Sequence, residues 1–168
     1  KHKSTTTKYP DAEFLFAGTP NGMEAKLVPQ AGYKLETIKI AGFQRKISLE
    51  NIKRNIQAAA YLASSGRRAT EIVKNFNPDI AIGTGGYVAG PVIRKAARLG
   101  VPSAIHEQNA FPGVTNKLLS KEVDHVMLTV IEALEYMEKD KFEYTVTGLP
   151  VRSDILKITK AEARKKLG

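Results

Sequence analysis

Cysteine is absent from this chain of 168 residues. Its absence excludes a disulfide framework, a thiolate nucleophile and a thiolate zinc site, and it fits a reducing compartment. Long apolar runs are lacking as well, since no stretch of about 18 apolar residues predicts a membrane-spanning helix. Residues 1–9 are polar, unlike the apolar core of a secretory signal. We therefore expect a globular domain that does not span a membrane.

Acidic and aromatic residues are few. The chain has 26 basic residues against 17 acidic ones, a formal net charge of +9. Such a charge favours polyanionic partners, whether nucleic acid, anionic lipid or phosphorylated metabolites. Aromatic residues make up only 7%, and no motif that reads nucleic acid is present. We therefore do not expect nucleic acid as a partner.

Short β-branched or aromatic runs alternate with helical patterns, which is typical of a parallel α/β sheet. A content of 42% hydrophobic and 26% charged residues suits one domain of this length. We predict a doubly wound, Rossmann-like parallel sheet. The predicted strands are Glu13–Ala17, Leu35–Ile40, Asp79–Gly83, Pro102–His106, His125–Leu128 and Tyr144–Thr147. The predicted helices are Gly22–Gln30, Ser48–Phe76, Gly90–Leu99, Gly113–Ser120 and Ile131–Glu138.

A glycine-rich loop, Thr84–Gly90, follows the third predicted strand. It is not a dinucleotide fingerprint, because Val88 stands where the third glycine of G-x-G-x-x-G belongs. A P-loop, a metalloprotease helix motif and an Asp-x-Asp pair are also missing, so no metal site is predicted. Pro91 is expected at a helix start, where amide groups of the first turn could receive an anion or diphosphate. The alternative is a tight turn that needs glycine only for its dihedral angles.

Four polar residues, His106, Glu107, Gln108 and Asn109, directly follow the fourth predicted strand. Ligands of open parallel sheets bind outside the carboxyl ends of the strands. His106 and Glu107 form an adjacent acid–base pair, and either could take a proton from an attacking hydroxyl. The amides of Gln108 and Asn109 suit sugar hydroxyls, since each offers donors and acceptors. The alternative is that the histidine is a hydrogen-bonded structural residue.

Motifs along the chain resemble those of the MurG family, the peripheral-membrane N-acetylglucosaminyltransferases of peptidoglycan synthesis. The matching segments are Gly18–Glu24, Gly83–Pro91, His106–Asn109, Gly113–Lys117 and Gly148–Arg152. The resemblance runs from Phe14 to Gly168. It implies the N-terminal half of a GT-B glycosyltransferase with no tightly bound cofactor. The implied reaction is inverting transfer of N-acetylglucosamine from UDP-N-acetylglucosamine to lipid I, giving lipid II without a covalent enzyme intermediate.

The resemblance also implies roles for individual residues. Asn109 resembles a residue that contacts the donor sugar region, and Arg152 one near the nucleotide diphosphate. A guanidinium suits phosphate through planar, charge-assisted hydrogen bonds. The general base and any divalent-metal dependence are left open. The acceptor side would be lined by Gly85, Gly86, Tyr87, Gln108 and Asn116, with His106 and Glu107 as catalytic candidates whose role is unassigned.

Two parts of the family pattern are not found in this sequence. The family opens with a strand and a glycine-rich loop of the form G-G-T-G-G-H, and it has a second α/β domain that holds most of the UDP-sugar. We expect residues 1–152 to form an acceptor-binding domain that is incomplete at its N-terminus. Residues 153–168 are expected to be a linker toward a missing C-terminal donor-binding domain. The chain alone is expected to be inactive.

The predicted helix Ser48–Phe76 combines an apolar stripe with surrounding basic residues. Such a surface suits anionic lipid headgroups. Because the family's acceptor is lipid-linked, we expect peripheral binding to the cytoplasmic face of the bacterial cell membrane. The alternative is that the stripe packs on the sheet. The expected membrane contacts are Ile52, Lys53, Arg54, Ile56, Arg67 and Arg68.

Two other functions remain open at this point. Another membrane-associated GT-B enzyme, such as a lipid glucosyltransferase, would share a basic, membrane-facing first domain. A non-catalytic module that binds a sugar nucleotide or a lipid belongs to a different class. The motif after the strand Pro102–Ile105 discriminates against the first alternative. Finding the glycine-rich loop and the second domain in the complete reading frame would eliminate the second.

Overall fold

The computed structural model describes residues 9–40, 64–151 and 159–167. Within these ranges the strands are β1 (Leu15–Gly18), β2 (Lys34–Thr37), β3 (Ala81–Gly83), β4 (Ser103–Glu107), β5 (His125–Leu128) and β6 (Glu143–Val146). The helices are α1 (Glu24–Gln30), α2 (64–76), α3 (Gly86–Arg98), α4 (Val114–Leu119) and α5 (Lys160–Leu167). Short 3₁₀ helices at Ile131–Tyr136 and Lys139–Lys141 join β5 to β6.

All strand pairs within the described ranges are parallel, as the sequence pattern predicted. The strands β3, β4, β5 and β6 pair in that order, while β1 pairs with β2 in a separate two-stranded sheet. Helix α3 contacts both sheets, because Val88 and Val92 lie against Leu15 and Ile38 on one side. On the other side, Ile93 of the same helix packs on Ile105 of β4. The architecture is therefore α/β, with α3 joining the two sheets.

The core of the larger sheet centres on β4. Ile105 is completely buried and pairs with Gly83 on β3 and with Val126 on β5. A side chain at Gly83 would lie only 2.8 Å from Ile93, so the glycine lets α3 pack closely on the sheet. Because neighbouring residues of a strand point to opposite faces, Ile105 and Glu107 share the face covered by α3 and α4. His106 lies on the other face.

The predicted strands are all found, although several begin or end a few residues away from the predicted bounds. The predictions were wrong for the start of one helix: α3 begins at Gly86 rather than Gly90, so Pro91 lies inside the helix. The reason is that Gly85 and Gly86 take positive φ angles of 88° and 77°, which turn the chain directly from β3 into the helix.

A further correction concerns the predicted helix Ile131–Glu138. It is a 3₁₀ helix over Ile131–Tyr136, closed on both sides by the extended residues Val130 and Met137. A segment this short between two extended residues has little room for α-helical hydrogen bonds, and 3₁₀ geometry is common in short connectors. Of the predicted helix Ser48–Phe76, residues 64–76 are helical and residues 48–63 lie outside the described part. No helix in the described ranges combines the length and apolar character needed to cross a bilayer.

Candidate functional site

The candidate site lies where the carboxyl ends of β3 and β4 meet. Two chain segments leave the sheet there: the turn Thr84–Gly86, which leads into α3, and the loop 108–113, which leads into α4. The site contains the residues of the predicted polar cluster and the predicted glycine turn. Their proximity follows from the parallel pairing of β3 with β4.

The glycine turn presents the N-terminus of α3. Gly85 has φ 88° and ψ −165°, a conformation essentially restricted to glycine. The 13 residues of α3 begin immediately afterwards, so the first amide groups of the helix point outward at this edge. Such a helix terminus attracts negative charge through its free amide groups and its dipole. Tyr87, in the first turn, is 64% exposed.

Glu107 is the most completely bonded side chain of the site. Its Oε1 accepts hydrogen bonds from the backbone N of Asn109 at 2.9 Å and from Asn109 Nδ2 at 3.1 Å. Its Oε2 accepts from the backbone N of Gly113 at 3.0 Å and from Asn116 Nδ2 at 2.8 Å. The residue is only 1% exposed. Each carboxylate oxygen therefore has two donors, which is the ordinary capacity of the group.

The pKa of Glu107 reflects two opposing effects. Burial alone raises the pKa, because it disfavours the charged carboxylate. The hydrogen bonds from Asn116, from the backbone of Asn109 and Gly113, and from the Asn109 side chain outweigh burial and lower the pKa below its usual value. The carboxylate is therefore ionised at neutral pH and is a weak proton acceptor.

His106 lies on the opposite face of β4 from Glu107. Its Nε2 donates to the carbonyl oxygen of Gly148 at 3.2 Å and lies 3.4 Å from Thr129 Oγ1. Because a carbonyl can only accept, Nε2 carries the proton, and the unprotonated Nδ1 lies 3.1 Å from Gln108 Nε2. His106 thus connects β4 to the turn after β6.

The strand geometry separates the two catalytic candidates that are adjacent in sequence. His106 and Glu107 point to opposite faces of β4 and share no partner that could carry a proton directly from one to the other. Each is instead engaged with backbone and amide groups of its own face. Adjacency in a strand therefore does not make an acid–base pair in space.

Three amide side chains complete the site. Gln108 donates to the carbonyl oxygens of Thr84 and His106, at 3.2 and 2.7 Å, and so connects the two loops. Asn109 is exposed and fixed through its Nδ2. Asn116 is 3% exposed, and both its amide hydrogens are used, because Nδ2 also donates to the carbonyl of His106 at 3.2 Å.

The acceptor atom of Asn116 is unusual. Among the described residues, Asn116 Oδ1 is the buried side-chain atom that has no hydrogen-bond partner. It faces the glycine turn, since a Cβ on Gly85 would lie 3.6 Å from it and 3.4 Å from Nδ2. A buried acceptor without a donor is costly, at about 1–3 kcal/mol. An atom of this kind beside a helix N-terminus is suited to a ligand that brings an O–H or N–H group.

The remaining predicted residues are the donor-side arginine and the membrane contacts. Arg152, Ile52, Lys53, Arg54 and Ile56 fall outside the described residues. Arg67 is exposed on α2, whereas the guanidinium of Arg68 donates to the carbonyl of Thr37 at 3.3 Å and pairs with Glu36 and Glu71. Their contact with a membrane stays a prediction.

Three partners of the site were not predicted from the sequence: the amide of Gly113, the carbonyl of Gly148 and the hydroxyl of Thr129. Gly113 and Gly148 were recognised as parts of motifs but not as hydrogen-bonding groups. A backbone group has no sequence signal of its own, so only the chain path could reveal these contacts.

In residues 9–40, 64–151 and 159–167, no three carboxylate or imidazole side chains gather as a metal site would require.

The lowered pKa of Glu107 predicts a dependence of stability on pH. A carboxylate with a depressed folded pKa stabilises the fold fully above its unfolded pKa of about 4.3, and the stabilisation is lost as pH falls through the folded value. We expect the free energy of unfolding to fall below about pH 4.3, and to fall less steeply in Glu107→Gln. Urea unfolding between about pH 7 and pH 3 measures both slopes. Equal slopes in the two proteins would contradict this assignment.

Comparisons with known proteins agree with the fold and the motifs. Residues 8–128 match the sequence model described as the Glycosyltransferase family 28 N-terminal domain. The chain is 48% identical over 159 residues to a protein of Acetivibrio thermocellus and 47% identical over 156 residues to one of Alkaliphilus oremlandii. Both carry the name UDP-N-acetylglucosamine--N-acetylmuramyl-(pentapeptide) pyrophosphoryl-undecaprenol N-acetylglucosamine transferase.

The matches cover most of this chain but less than half of each relative. They include 95% and 93% of this chain and 42% and 41% of the two relatives. The crystal structure of a MurG of Acinetobacter baumannii superposes with a TM-score of 0.60 at 27% identity. That superposition covers 88% of this chain and 40% of the other. The chain thus spans about two fifths of the length of the proteins that it matches.

Proposed function

Because this chain belongs to the Glycosyltransferase family 28 N-terminal domains, we propose that it is the acceptor-binding part of an N-acetylglucosaminyltransferase. The proposed donor is UDP-N-acetylglucosamine. The proposed acceptor is lipid I, the undecaprenyl-pyrophosphoryl muramoyl pentapeptide, and the product is lipid II. The names of relatives that are nearly half identical to this chain support this choice of substrates.

The observation that carries the proposal is the meeting of two loops at one edge of the sheet. Gln108 joins the amide-rich loop that follows β4 to the turn before the helix N-terminus at Gly86, and Asn116 lies beside that turn. Free backbone amides suit a diphosphate, and carboxamides suit sugar hydroxyls and acetamido groups. A lipid-linked sugar diphosphate carries all of these groups.

On the acceptor side, we propose that the diphosphate of lipid I lies against the amide groups at Gly85, Gly86 and Tyr87. Asn116 Oδ1, buried beside this turn without a described partner, would accept from an O–H or N–H group of the same ligand. Gln108 fixes the distance between the two loops through its bonds to both. The position of the acceptor hydroxyl would follow from these contacts.

On the donor side, we propose that Asn109 contacts the sugar and Arg152 the nucleotide diphosphate. With its Nδ2 held by Glu107, Asn109 keeps its Oδ1 to accept from the acetamido N–H or a hydroxyl of the donor. Most of the UDP-sugar would be held by a C-terminal domain of the same protein that residues 153–168 lead toward.

The proposed chemistry is a single displacement. The acceptor hydroxyl oxygen attacks the anomeric carbon as the bond to the UDP oxygen breaks, and UDP leaves with the electron pair. The hydroxyl proton passes to a general base. One displacement inverts the configuration at the anomeric carbon, and the reaction needs no covalent intermediate.

The net charge of +9 supports a peripheral position at the anionic cytoplasmic face of the cell membrane. Of the two predicted membrane contacts that are described, Arg67 on α2 is exposed, whereas Arg68 is engaged with Glu36 and Glu71. Binding at the membrane surface would bring the site to an acceptor whose polyprenyl chain stays in the bilayer.

The test measures the transfer of labelled N-acetylglucosamine to a lipid I analogue by the complete protein, expressed from the full reading frame that encodes this chain. We expect transfer in the wild type and a fall in kcat/KM of about tenfold to hundredfold in Asn109→Ala, the effect of losing one or two hydrogen bonds. Asn75→Ala is the matched control, because Asn75 is exposed near the end of α2, at the opposite edge of the sheet.

Three outcomes separate the candidate functions. Transfer that drops in Asn109→Ala but not in Asn75→Ala supports both the reaction and the site. Transfer of a different sugar would identify another lipid glycosyltransferase. A folded complete protein that transfers no sugar would overturn the enzymatic proposal and favour a binding module.

A further inference from the structure

Glu107 connects more parts of the site than any other side chain described. Glu107 is the last residue of β4. The loop 108–113 separates it in sequence from α4, whose N-cap residue is Gly113. The Glu107 carboxylate receives the amide of that cap residue and two hydrogen bonds from Asn109, at the other end of the loop. The single carboxylate thus closes the loop 108–113 from both ends.

The same carboxylate orients two amide side chains of the site, the exposed Asn109 and the buried Asn116. Its Oε1 holds Asn109 Nδ2, which fixes the direction of Asn109 Oδ1. Its Oε2 holds Asn116 Nδ2 at 2.8 Å, which keeps Asn116 Oδ1 beside Gly85. Without the charge, nothing described would prevent the Asn109 carboxamide from rotating by 180° and exchanging its oxygen for its NH₂ group, whereas Asn116 would keep only the bond from its Nδ2 to the carbonyl of His106.

Its bonding makes Glu107 unsuited to taking the acceptor's proton. All four acceptor positions are occupied, and the side chain is 1% exposed. A general base must come within hydrogen-bond reach of the proton that it removes. To do so, Glu107 would have to release the loop that forms the site.

We propose that Glu107 is a positioning residue that acts through Asn109 and Asn116 and takes no part in proton transfer. The inference rests on the proposed function for its kinetic consequence, but its structural part is independent of any activity. The carboxylate sets which atom of Asn109 the sugar substrate meets, and together with the carbonyl of His106 it holds Asn116 in place. Its removal should therefore weaken substrate binding more than the chemical step.

The kinetic test uses Glu107→Gln in the complete protein, with Glu122→Gln as the matched control. Glu122 is also a glutamate with a lowered pKa, but it pairs with Arg94 and Arg98 away from the site. We expect the KM for UDP-N-acetylglucosamine to rise about tenfold in Glu107→Gln, with a smaller change in kcat. The pH dependence of kcat should keep its shape. The control should leave both parameters unchanged.

A double variant tests whether Glu107 acts through Asn109. In the Asn109→Ala background, Glu107→Gln should change the donor KM by no more than about twofold, because the side chain that it orients is already gone. Full additivity of the two effects would overturn the proposal. A large fall in kcat in Glu107→Gln, together with loss of the acidic limb of its pH profile, would also overturn the proposal. Both results are expected when a general base is removed.

Hydrogen exchange separates this proposal from the proposed function. In Glu107→Gln the amides of Asn109 and Gly113 should exchange about ten times faster or more, while those of β4 and β5 keep their rates. Unchanged exchange at both amides overturns the proposal even if the protein is an active transferase. Faster exchange supports it even if no transfer occurs. Should Glu107→Gln fail to fold, Glu107→Asp provides the same readouts with smaller shifts.

Discussion

Asn116→Asp is expected to destabilise the protein by about 3–5 kcal/mol at neutral pH. The substitution keeps the size of the side chain but removes the NH₂ group that donates to Glu107 and to the carbonyl of His106. It also places a second carboxylate against Glu107 Oε2 at a position that is 3% exposed. Two buried carboxylates at hydrogen-bond distance cannot both stay ionised without a large cost.

The dependence of this variant on pH should be opposite to that of the wild type. Mutual repulsion and burial raise the pKa of the pair that the introduced carboxyl forms with Glu107 above its unfolded value. The penalty is therefore present at neutral pH and is relieved as pH falls through the raised pKa, when a protonated carboxyl can again donate to its neighbour. We expect Asn116→Asp to gain stability between about pH 7 and pH 5.

Urea unfolding at several pH values measures this effect. Asn75→Asp is the control, because Asn75 is exposed on α2 and its replacement adds the same charge without burying it. The control should change stability by no more than about 0.5–1 kcal/mol at any pH. A variant Asn116→Asp that is as stable as the wild type at pH 7 would show that the Glu107–Asn116 contact does not form.

Gly85→Ala is expected to damage the site in a second way, by altering the backbone. Its φ of 88° and ψ of −165° are essentially accessible only to glycine, so a side chain there costs about 1–3 kcal/mol. The added methyl group would also lie 3.4 Å from Asn116 Nδ2 and 3.6 Å from Oδ1, in the space from which a ligand would reach that atom. Relaxation of the strain would turn the first amides of α3 away from the site.

We therefore expect Gly85→Ala to lower kcat/KM for transfer by about 30-fold to 100-fold in the complete protein, equivalent to about 2–3 kcal/mol. Gly100→Ala is the matched control. Gly100 has a positive φ of 79° and open space around it, but it lies at the opposite end of α3. We expect Gly100→Ala to strain the backbone but to leave the transfer of N-acetylglucosamine unchanged. An equal loss of transfer in the two variants would show that the effect comes from stability alone.

The order of strands and helices could be read from the sequence because the strands lie in short runs rich in apolar, β-branched or aromatic residues, bounded by glycine, proline or polar residues. Ile105 and Val126 lie in such runs, and both are completely buried. Parallel pairing then implies that the loops after β3 and β4 lie at one edge of the sheet. Local patterns suffice here, since strand propensity and burial act over a few residues.

The start of α3 could not be read in the same way. Proline at a helix start is a common preference, but the dihedral angles of Gly85 and Gly86 moved the start to before Pro91. Glycine permits many conformations, so its presence signals freedom without stating which angle is used. The packing of α3 on both sheets selects the angle.

The site likewise has one part that the sequence predicted and another that only the tertiary structure determined. The polar cluster could be identified from its position after a strand, because the residue type alone gives the functional groups of a side chain. Its members are His106, Glu107, Gln108 and Asn109. Their partners could not be identified in this way, because Gly113 N and Gly148 O are backbone groups that come into contact only through the chain path. Only the tertiary structure showed that His106 and Glu107 are not an acid–base pair but hold different segments of the chain. The reason is that neighbouring residues of β4 face opposite sides of the sheet.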